Sequence, residues 1–308
     1  MKSKHFLGLA QTPLADLMEI FEVTEHQKRA LAAGQRLDPV LAGRTLGMIF
    51  EKPSLRTRVS FEVAMAQLGG HTTTLGMAEV QLGQREALVD FARTLSRYVD
   101  AIGARVFHHE HIVQLARHSR VPVINALSDY NHPCQALADL WTIHERFGRW
   151  EGLKVAFVGD GNNVARSLAC GCARLGMSFA LAGPKGYGFS PADLRVFRRL
   201  AGKRAFRLES GADPRKLLRG AHVVYTDVWA SMGQESERQA RARAFAPYQV
   251  NARLLKAARP EAIVLHCLPA HREEEITGEV LDGPQSAVYD QAENRLHTER
   301  ALLALLMK

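Results

Sequence analysis

Two arginines and two hydroxyls fall close together at Ser54-Leu55-Arg56-Thr57-Arg58. The run follows the strand-like stretch Leu46–Phe50. It precedes a segment in which Val59, Val63 and Ala66 recur near helical spacing until Gly69-Gly70 stop it. Pro53 ends the strand, and Ser54 is a good helix N-cap. Backbone N–H groups and the helix dipole favour an anion at such a terminus, so the spacing predicts a phosphate site. His132-Pro133-Cys134-Gln135 opens another helix-like segment, where an imidazole and an amide could hold a polarised carbonyl oxygen or an amide nitrogen. Asp227 stands at a strand end ahead of the loop through Ser231, Met232 and Gly233, and a carboxylate there could hold an ammonium group. His266-Cys267-Leu268-Pro269 also follows a strand, so the Cys267 sulfur could face the same crevice. Taken singly, each of these runs also fits a structural strand-to-loop junction.

These residues need elements to position them. Leu14 to Ala33 is amphipathic and helical. Leu46–Phe50, Thr72–Leu75, Ala101–Val106 and Val121–Asn125 look like short strands, with Glu110–His118 helical just before the last. His132 to Phe147 reads as a long connecting helix. The pattern then restarts with strands at Leu153–Val158, Ser178–Ala182, Ala221–Thr226 and Ala262–Leu265, and closes with a helix from Asn294 to Met307. Such alternation predicts an α/β fold of two domains, each a parallel sheet flanked by helices. The expected domains are residues 1–140, joined by the C-terminal helix 291–308, and residues 141–290. Arg105, His132, Asp227 and Cys267 all fall at or just beyond strand ends, where ligands bind in such sheets. The active site is therefore expected in the cleft between the two domains.

Composition narrows the function. A chain of 308 residues is long enough for two cores, and 46% hydrophobic with 23% charged residues is an ordinary globular balance. No apolar run approaches the roughly 18 residues of a membrane span, and Met1 to Leu9 lacks the apolar core of a signal peptide. No membrane association and a cytoplasmic location are expected. Cys134, Cys170, Cys172 and Cys267 make no Cys-x-x-Cys pair, which argues against a structural zinc site or a disulfide framework. The net charge of +8 is spread along the chain. Its densest stretches, Arg195 to Arg207 and Arg238 to Arg243, lack the interleaved aromatics of a base-stacking surface. They read as solvated helix faces, so no nucleic-acid partner is expected, and the excess suits an anionic substrate. Gly159-Asp160-Gly161-Asn162-Asn163 begins like a dinucleotide-binding loop, but Val164 stands where a third glycine is needed. A nicotinamide-dependent dehydrogenase is thus a remote alternative, and Asn163 is instead an amide for a small polar ligand.

Ser54-x-Arg56-Thr57-Arg58, His132-Pro133-x-Gln135 and His266-Cys267-Leu268-Pro269-x-x-Arg272 occur in an order that resembles the carbamoyltransferases. Asp227-x-x-x-Ser231-Met232-Gly233 and the Cys267 run are similar to the ornithine branch of that family. The resemblance extends from Phe50 to Glu293-Asn294-Arg295. It implies that the first domain binds carbamoyl phosphate through Ser54, Leu55, Arg56, Thr57, Arg105, His132, Pro133, Cys134, Gln135 and Arg295, with Cys267 and Leu268 of the second domain completing the contacts. It implies that Asn163, Asp227, Ser231 and Met232 hold L-ornithine in the second. Arg56, Arg105, His132, Asp227 and Cys267 would carry the catalysis, with Arg58 touching or supporting the site. A homotrimer is implied, with Gln81 reaching the site of an adjacent subunit, and no metal or organic cofactor. N-acetylornithine and putrescine are alternative amines, but the first lacks the α-amine that Asp227 would hold, and the second lacks the α-carboxylate as well. Aspartate would need cationic groups that the Ser231-Met232-Gly233 loop does not offer. Two departures are visible: Leu55 replaces a threonine common among relatives, and Gln84-Arg85-Glu86-Ala87 lacks their histidine and serine.

Overall fold

Strands buried on both faces read as near-continuous apolar runs, and such runs form the sheet interiors of this protein. The computed structural model describes residues 1–76, 80–83, 86–230 and 235–308. Its chain divides into one unit of Met1–Ala138 with Glu293–Lys308 and a second of Asp139–Ala292. In the first, β1 (Thr45–Phe50), β2 (His71–Leu75), β3 (Ala101–Arg105) and β4 (Val123–Leu127) form a parallel sheet in the order β2-β1-β3-β4. Its helices are α1 (Leu14–Ala32), α2 (Leu55–Gln67), α3 (Leu88–Leu95) and α4 (His109–His118). Ile49, Ile102, Ala104, Ile112, Leu115 and Val123 are core residues of this unit. The outer edge of β4 is covered by the N-terminal segment: Phe6 N–H donates to Val123 O, and Asn125 N–H to Phe6 O, both at 2.8 Å.

Helix α5 (Pro133–Phe147) starts in the first unit and ends in the second. There β5 (Lys154–Val158), β6 (Ser178–Ala182), β7 (Leu208–Gly211), β8 (Val223–Thr226) and β9 (Ile263–His266) form another all-parallel sheet, ordered β7-β6-β5-β8-β9. Helices α6 (Asn163–Leu175), α7 (Pro191–Ala201), α8 (Pro214–Leu218), α9 (Arg238–Phe245), α10 (Ala252–Leu255) and α11 (Gly278–Leu281) accompany it. Ala156, Val158, Val224, Phe245 and Val264 belong to its core. Helix α12 (Val288–Leu306) brings the chain back to the first unit. Among the described residues no helix is long and apolar enough to cross a membrane.

Three elements depart from the sequence reading. Strand β7 was not anticipated, because Leu208-Glu-Ser-Gly211 is a short, largely exposed edge strand with no apolar run to signal it. Strand β4 is displaced toward Leu127, since Ser119 Oγ takes the Val121 N–H at 3.1 Å and donates to Val121 O at 2.9 Å. Helix α12 begins at Val288 rather than Asn294, its first turn carrying the exposed Tyr289 and the buried polar Gln291 instead of an apolar stripe.

Candidate active site

The chain order of the first sheet reverses between β1 and β3, the place where open parallel sheets bind ligands. The last residues of these strands, Phe50 and Arg105, are in register. Beyond β1, Ser54 is extended and its Oγ accepts the Thr57 N–H at 3.4 Å, so Leu55, Arg56 and Thr57 form the first turn of α2. The pairing of β3 with β4 slips between Ala104 and Arg105. An irregularity of this kind re-aims a side chain near a site, and Arg105 is almost wholly buried there. His132, just after β4, is also buried. Burial first, then the charges of Arg295 and Arg105, hold its pKa well below 6.5. A neutral imidazole donates from one ring nitrogen only.

Arg295 fastens this end of the sheet. Its Nε and Nη2 donate to Glu299 Oε1 at 2.8 and 2.6 Å, its Nη1 to Gln135 Oε1 at 2.9 Å and its Nη2 to Thr57 Oγ1 at 3.3 Å. One guanidinium thus ties the first turn of α2 to that of α5. Glu299 is fully buried, and burial raises its pKa while Arg295 opposes the rise. Cys134 is core: its Sγ lies 3.5 Å from Asn125 O, and burial pushes the thiol pKa well up. Arg58 turns along the exposed face of α2 to Glu62 at 2.9 Å. Gln81 is exposed at φ 33°, held between the buried Val80 and Leu82.

In the second sheet the order reverses between β5 and β8, and both loops carry polar groups. Asn162, after β5, caps α6 by accepting the Val164 and Ala165 N–H groups at 3.0 Å each. Its Nδ2 donates to Asp227 Oδ2 at 2.7 Å. Asp227 Oδ1 takes the Val228 N–H at 2.8 Å and the Cys267 thiol at 3.0 Å. Asn163 is the first residue of α6, and its carbonyl accepts the Ser167 hydroxyl at 2.8 Å. Gly161 packs tightly: a Cβ there would lie 3.0 Å from the Gly188 carbonyl carbon and 3.1 Å from the Phe189 nitrogen. Ser231 and Met232 lie outside the described residues, as do Gln84 and Arg85.

Cys267 and Leu268 are held from behind. Leu268 adopts φ 56°, a strained value for a branched residue. Its N–H donates to His266 Nδ1 at 2.8 Å, so the proton of His266 sits on Nε2, facing Glu275 Oε1 at 3.1 Å. The latter oxygen also accepts the His271 N–H at 2.6 Å, and both His266 and Glu275 are buried. Asp227, His266 and Cys267 bring metal-ligating atoms within 4.8 Å of one another, as do His271, Glu274 and Glu275. The first group fits a metal poorly, because both ring nitrogens of His266 are committed to other partners.

The structure therefore gathers Ser54, Arg56, Thr57, Arg105, His132, Gln135 and Arg295 at one end of the first sheet, and Asn163, Asp227, Cys267 and Leu268 at the corresponding end of the second. Sequence reasoning missed Asn162, Glu275 and Arg241. Asn162 was visible as an N-cap residue. Arg241 belongs by sequence to a solvated face, yet it is buried, with Nη1 at 2.7 Å from Asp160 Oδ2 and 3.2 Å from Trp229 O, and Nε at 2.9 Å from Glu237 Oε2. Glu275 carried no local signal.

Residues 4–145 match the family model described as aspartate/ornithine carbamoyltransferase, carbamoyl-P binding domain, and residues 151–306 match that of the Asp/Orn binding domain. The chain is 50% identical over 307 residues to an ornithine carbamoyltransferase of Symbiobacterium thermophilum, covering 100% of this chain and 99% of that protein. It is 51% identical to one from Methanopyrus kandleri, covering 100% and 98%. The solved ornithine carbamoyltransferase of Pyrococcus furiosus superposes with a TM-score of 0.95 at 49% identity, covering 98% of this chain and 96% of that one.

Proposed function

The chain belongs to the aspartate/ornithine carbamoyltransferase family, and we infer that its two sheet-end sites divide one reaction between them. It transfers the carbamoyl group of carbamoyl phosphate to the δ-amino group of L-ornithine, giving L-citrulline and phosphate. We assign its residue roles from the pair of polar constellations at the strand ends of the two sheets.

The α2 N-terminus, with Ser54, Leu55, Arg56 and Thr57, holds the phosphate. Backbone donors, the helix dipole and a planar guanidinium all favour a dianion there. Arg105 spans phosphate and carbonyl oxygen, while His132 and Gln135 hold the carbamoyl group, with Pro133 and Cys134 shaping the start of α5. Arg295 fixes the orientation of the Gln135 amide. Asp227 and Asn163, with Ser231 and Met232, hold ornithine, and Leu268 completes the carbamoyl phosphate contacts.

The δ-amine must attack as the neutral amine, yet a lysine-like amine has a reference pKa of about 10.4, so deprotonation at pH 7 costs roughly 4–5 kcal/mol. A cationic environment disfavours the ammonium and reduces that cost. Cys267, hydrogen-bonded to Asp227, orients the amine and takes part in relaying its proton. As nitrogen bonds to the carbamoyl carbon, the carbonyl oxygen gains charge. Arg105 and the neutral His132 stabilise it as hydrogen-bond donors. The C–O bond to phosphate then breaks, its electron pair leaving with the phosphate oxygen, and the proton lost by the attacking nitrogen passes to phosphate, which Arg56 retains as the hydrogen phosphate dianion.

The working unit is a homotrimer. Leu55, Val59 and Val63 form an exposed stripe along α2, 74%, 47% and 37% accessible, and this apolar row beside the phosphate site suits the surface of a second copy. Gln81, exposed between two buried anchors, serves the adjacent subunit. Carbamoyl-transfer assays, reading the ureido product and released phosphate with ornithine, N-acetylornithine, putrescine and aspartate offered separately, test the amine assignment. Selective turnover of ornithine is expected, and preference for any other amine would overturn the role given to Asp227.

A further inference from the structure

Strand β9 is an edge of its sheet. The N–H groups on its inner side pair with β8, while those of Val264 and His266 face outward and need other partners. Val264 finds Gln285 O at 2.8 Å. His266, the last residue of the strand and the one before Cys267, finds a side chain: its N–H donates to Gln291 Oε1 at 2.9 Å. Gln291 thus does for His266 what a neighbouring strand would do.

The other end of the same amide is equally committed. Gln291 Nε2 donates to Asp139 Oδ1 at 2.6 Å and to the Tyr225 hydroxyl oxygen at 3.1 Å. The Tyr225 hydroxyl in turn donates to Asp139 Oδ1 at 3.4 Å. Gln291, Asp139 and Tyr225 are all fully buried. Burial, and then the charges of Asp139, Cys267 and Asp227, push the Tyr225 pKa well up, so its hydroxyl stays a donor. The position requires an acceptor toward β9 and a donor toward Asp139 at once. An amide supplies both, whereas a glutamate would set a second carboxylate against Asp139.

We propose that Gln291 is a positioning residue for the amine site: by fixing the end of β9 against Asp139 it holds Cys267 at hydrogen-bonding distance from Asp227. The proposal rests on the reading of Asp227 and Cys267 as the amine site, which a Cys267→Ala control tests separately.

Leaving a buried group without its partner shifts an equilibrium constant by roughly fivefold to a hundredfold. Gln291→Glu is therefore expected to raise the ornithine KM about tenfold while the carbamoyl phosphate KM changes by less than about twofold. Exchanging donor and acceptor in the double variant Asp139→Asn with Gln291→Glu restores the pairing and recovers most of the loss. Gln291→Met, of similar volume but with no amide, is the second probe should the charged single variant fail to fold, and it is expected to raise the ornithine KM likewise. Thermal melts accompany each variant. If Cys267→Ala impairs ornithine use but folded Gln291→Glu or Gln291→Met does not, the positioning role is overturned alone. Equal loss for both substrates, or a folded double variant with no recovery, also overturns it. An unchanged ornithine KM in Cys267→Ala overturns the amine-site reading and this proposal with it.

Discussion

His132 shows how one side chain acquires a role from its surroundings. Burial and two guanidinium groups keep its imidazole neutral through the working pH range, so it meets a carbonyl oxygen as a hydrogen-bond donor and not as a cation. Arg56 has a different task, because it stands in the first turn of a capped helix and is only partly buried. Arg56→Gly should abolish turnover and the thermal protection given by carbamoyl phosphate, with little change in the melting midpoint of the unliganded protein. Retained protection would remove Arg56 from the phosphate site. Cys267→Ala should act on the other substrate, raising the ornithine KM by roughly tenfold, the usual effect of losing one hydrogen bond to a charged group. Steady-state kinetics with each substrate varied in turn would check this, and an effect confined to carbamoyl phosphate would contradict it. At this scale the sequence was informative wherever a residue sits at a strand end or a helix start, since such positions have local signals. The sequence reading singles out Asn163, but it is the Asn162 side chain that both caps α6 and reaches Asp227. The N-cap preference marks Asn162 as the residue before the helix, but its reach to Asp227 across the sheet has no local signal.

At the scale of elements, strand and helix order was legible because buried parallel strands must be apolar. Edge strand β7 was not, because half of its surface has no core to face. What local pattern cannot reveal is the pairing of distant polar residues across elements. Arg241 on α9 is the clearest instance: it reads as one of several arginines on a basic helix, yet it joins Asp160 of the β5 loop, Trp229 O beyond β8 and Glu237. Asp160 is half-buried, and burial raises its pKa against the opposing pull of Arg241. A buried charge left without its partner destabilises by about 3–5 kcal/mol. Arg241→Ala should therefore lower the melting midpoint by several degrees and raise the ornithine KM, because the loop bearing Asp227 loses its anchor. Arg241→Lys should restore part of the stability and less of the affinity, since an ammonium cannot reproduce the planar fork. Equal recovery of both would show that the fork geometry is irrelevant to the amine site.

For the whole molecule, the number of protons bound on folding sets the response to acid. Burial is the first cause that lowers the pKa of His5 to about 4, and it also lowers those of His132, His222 and His297 below 6.5. Each is depressed in the folded chain, so the unfolded chain binds more protons once the pH falls below about 6.5. Their stabilisation is complete above that pH and is lost progressively as the pH drops toward and through the folded values. His5 illustrates the physical cost, because its Nδ1 accepts the Val123 N–H at 3.0 Å and a proton there would break the contact that seats the N-terminal segment beside β4. Asp16 and Asp193, whose carboxyls are held below their usual range by hydrogen bonds that outweigh burial, extend the loss to still lower pH. The denaturant midpoint should be nearly flat from pH 8 to pH 7 and decline steadily from about pH 6.5 to pH 4. A midpoint that rises or stays constant over that lower interval would mean that these histidines are protonated in the folded protein, and His132 could then no longer be assigned the role of a neutral donor.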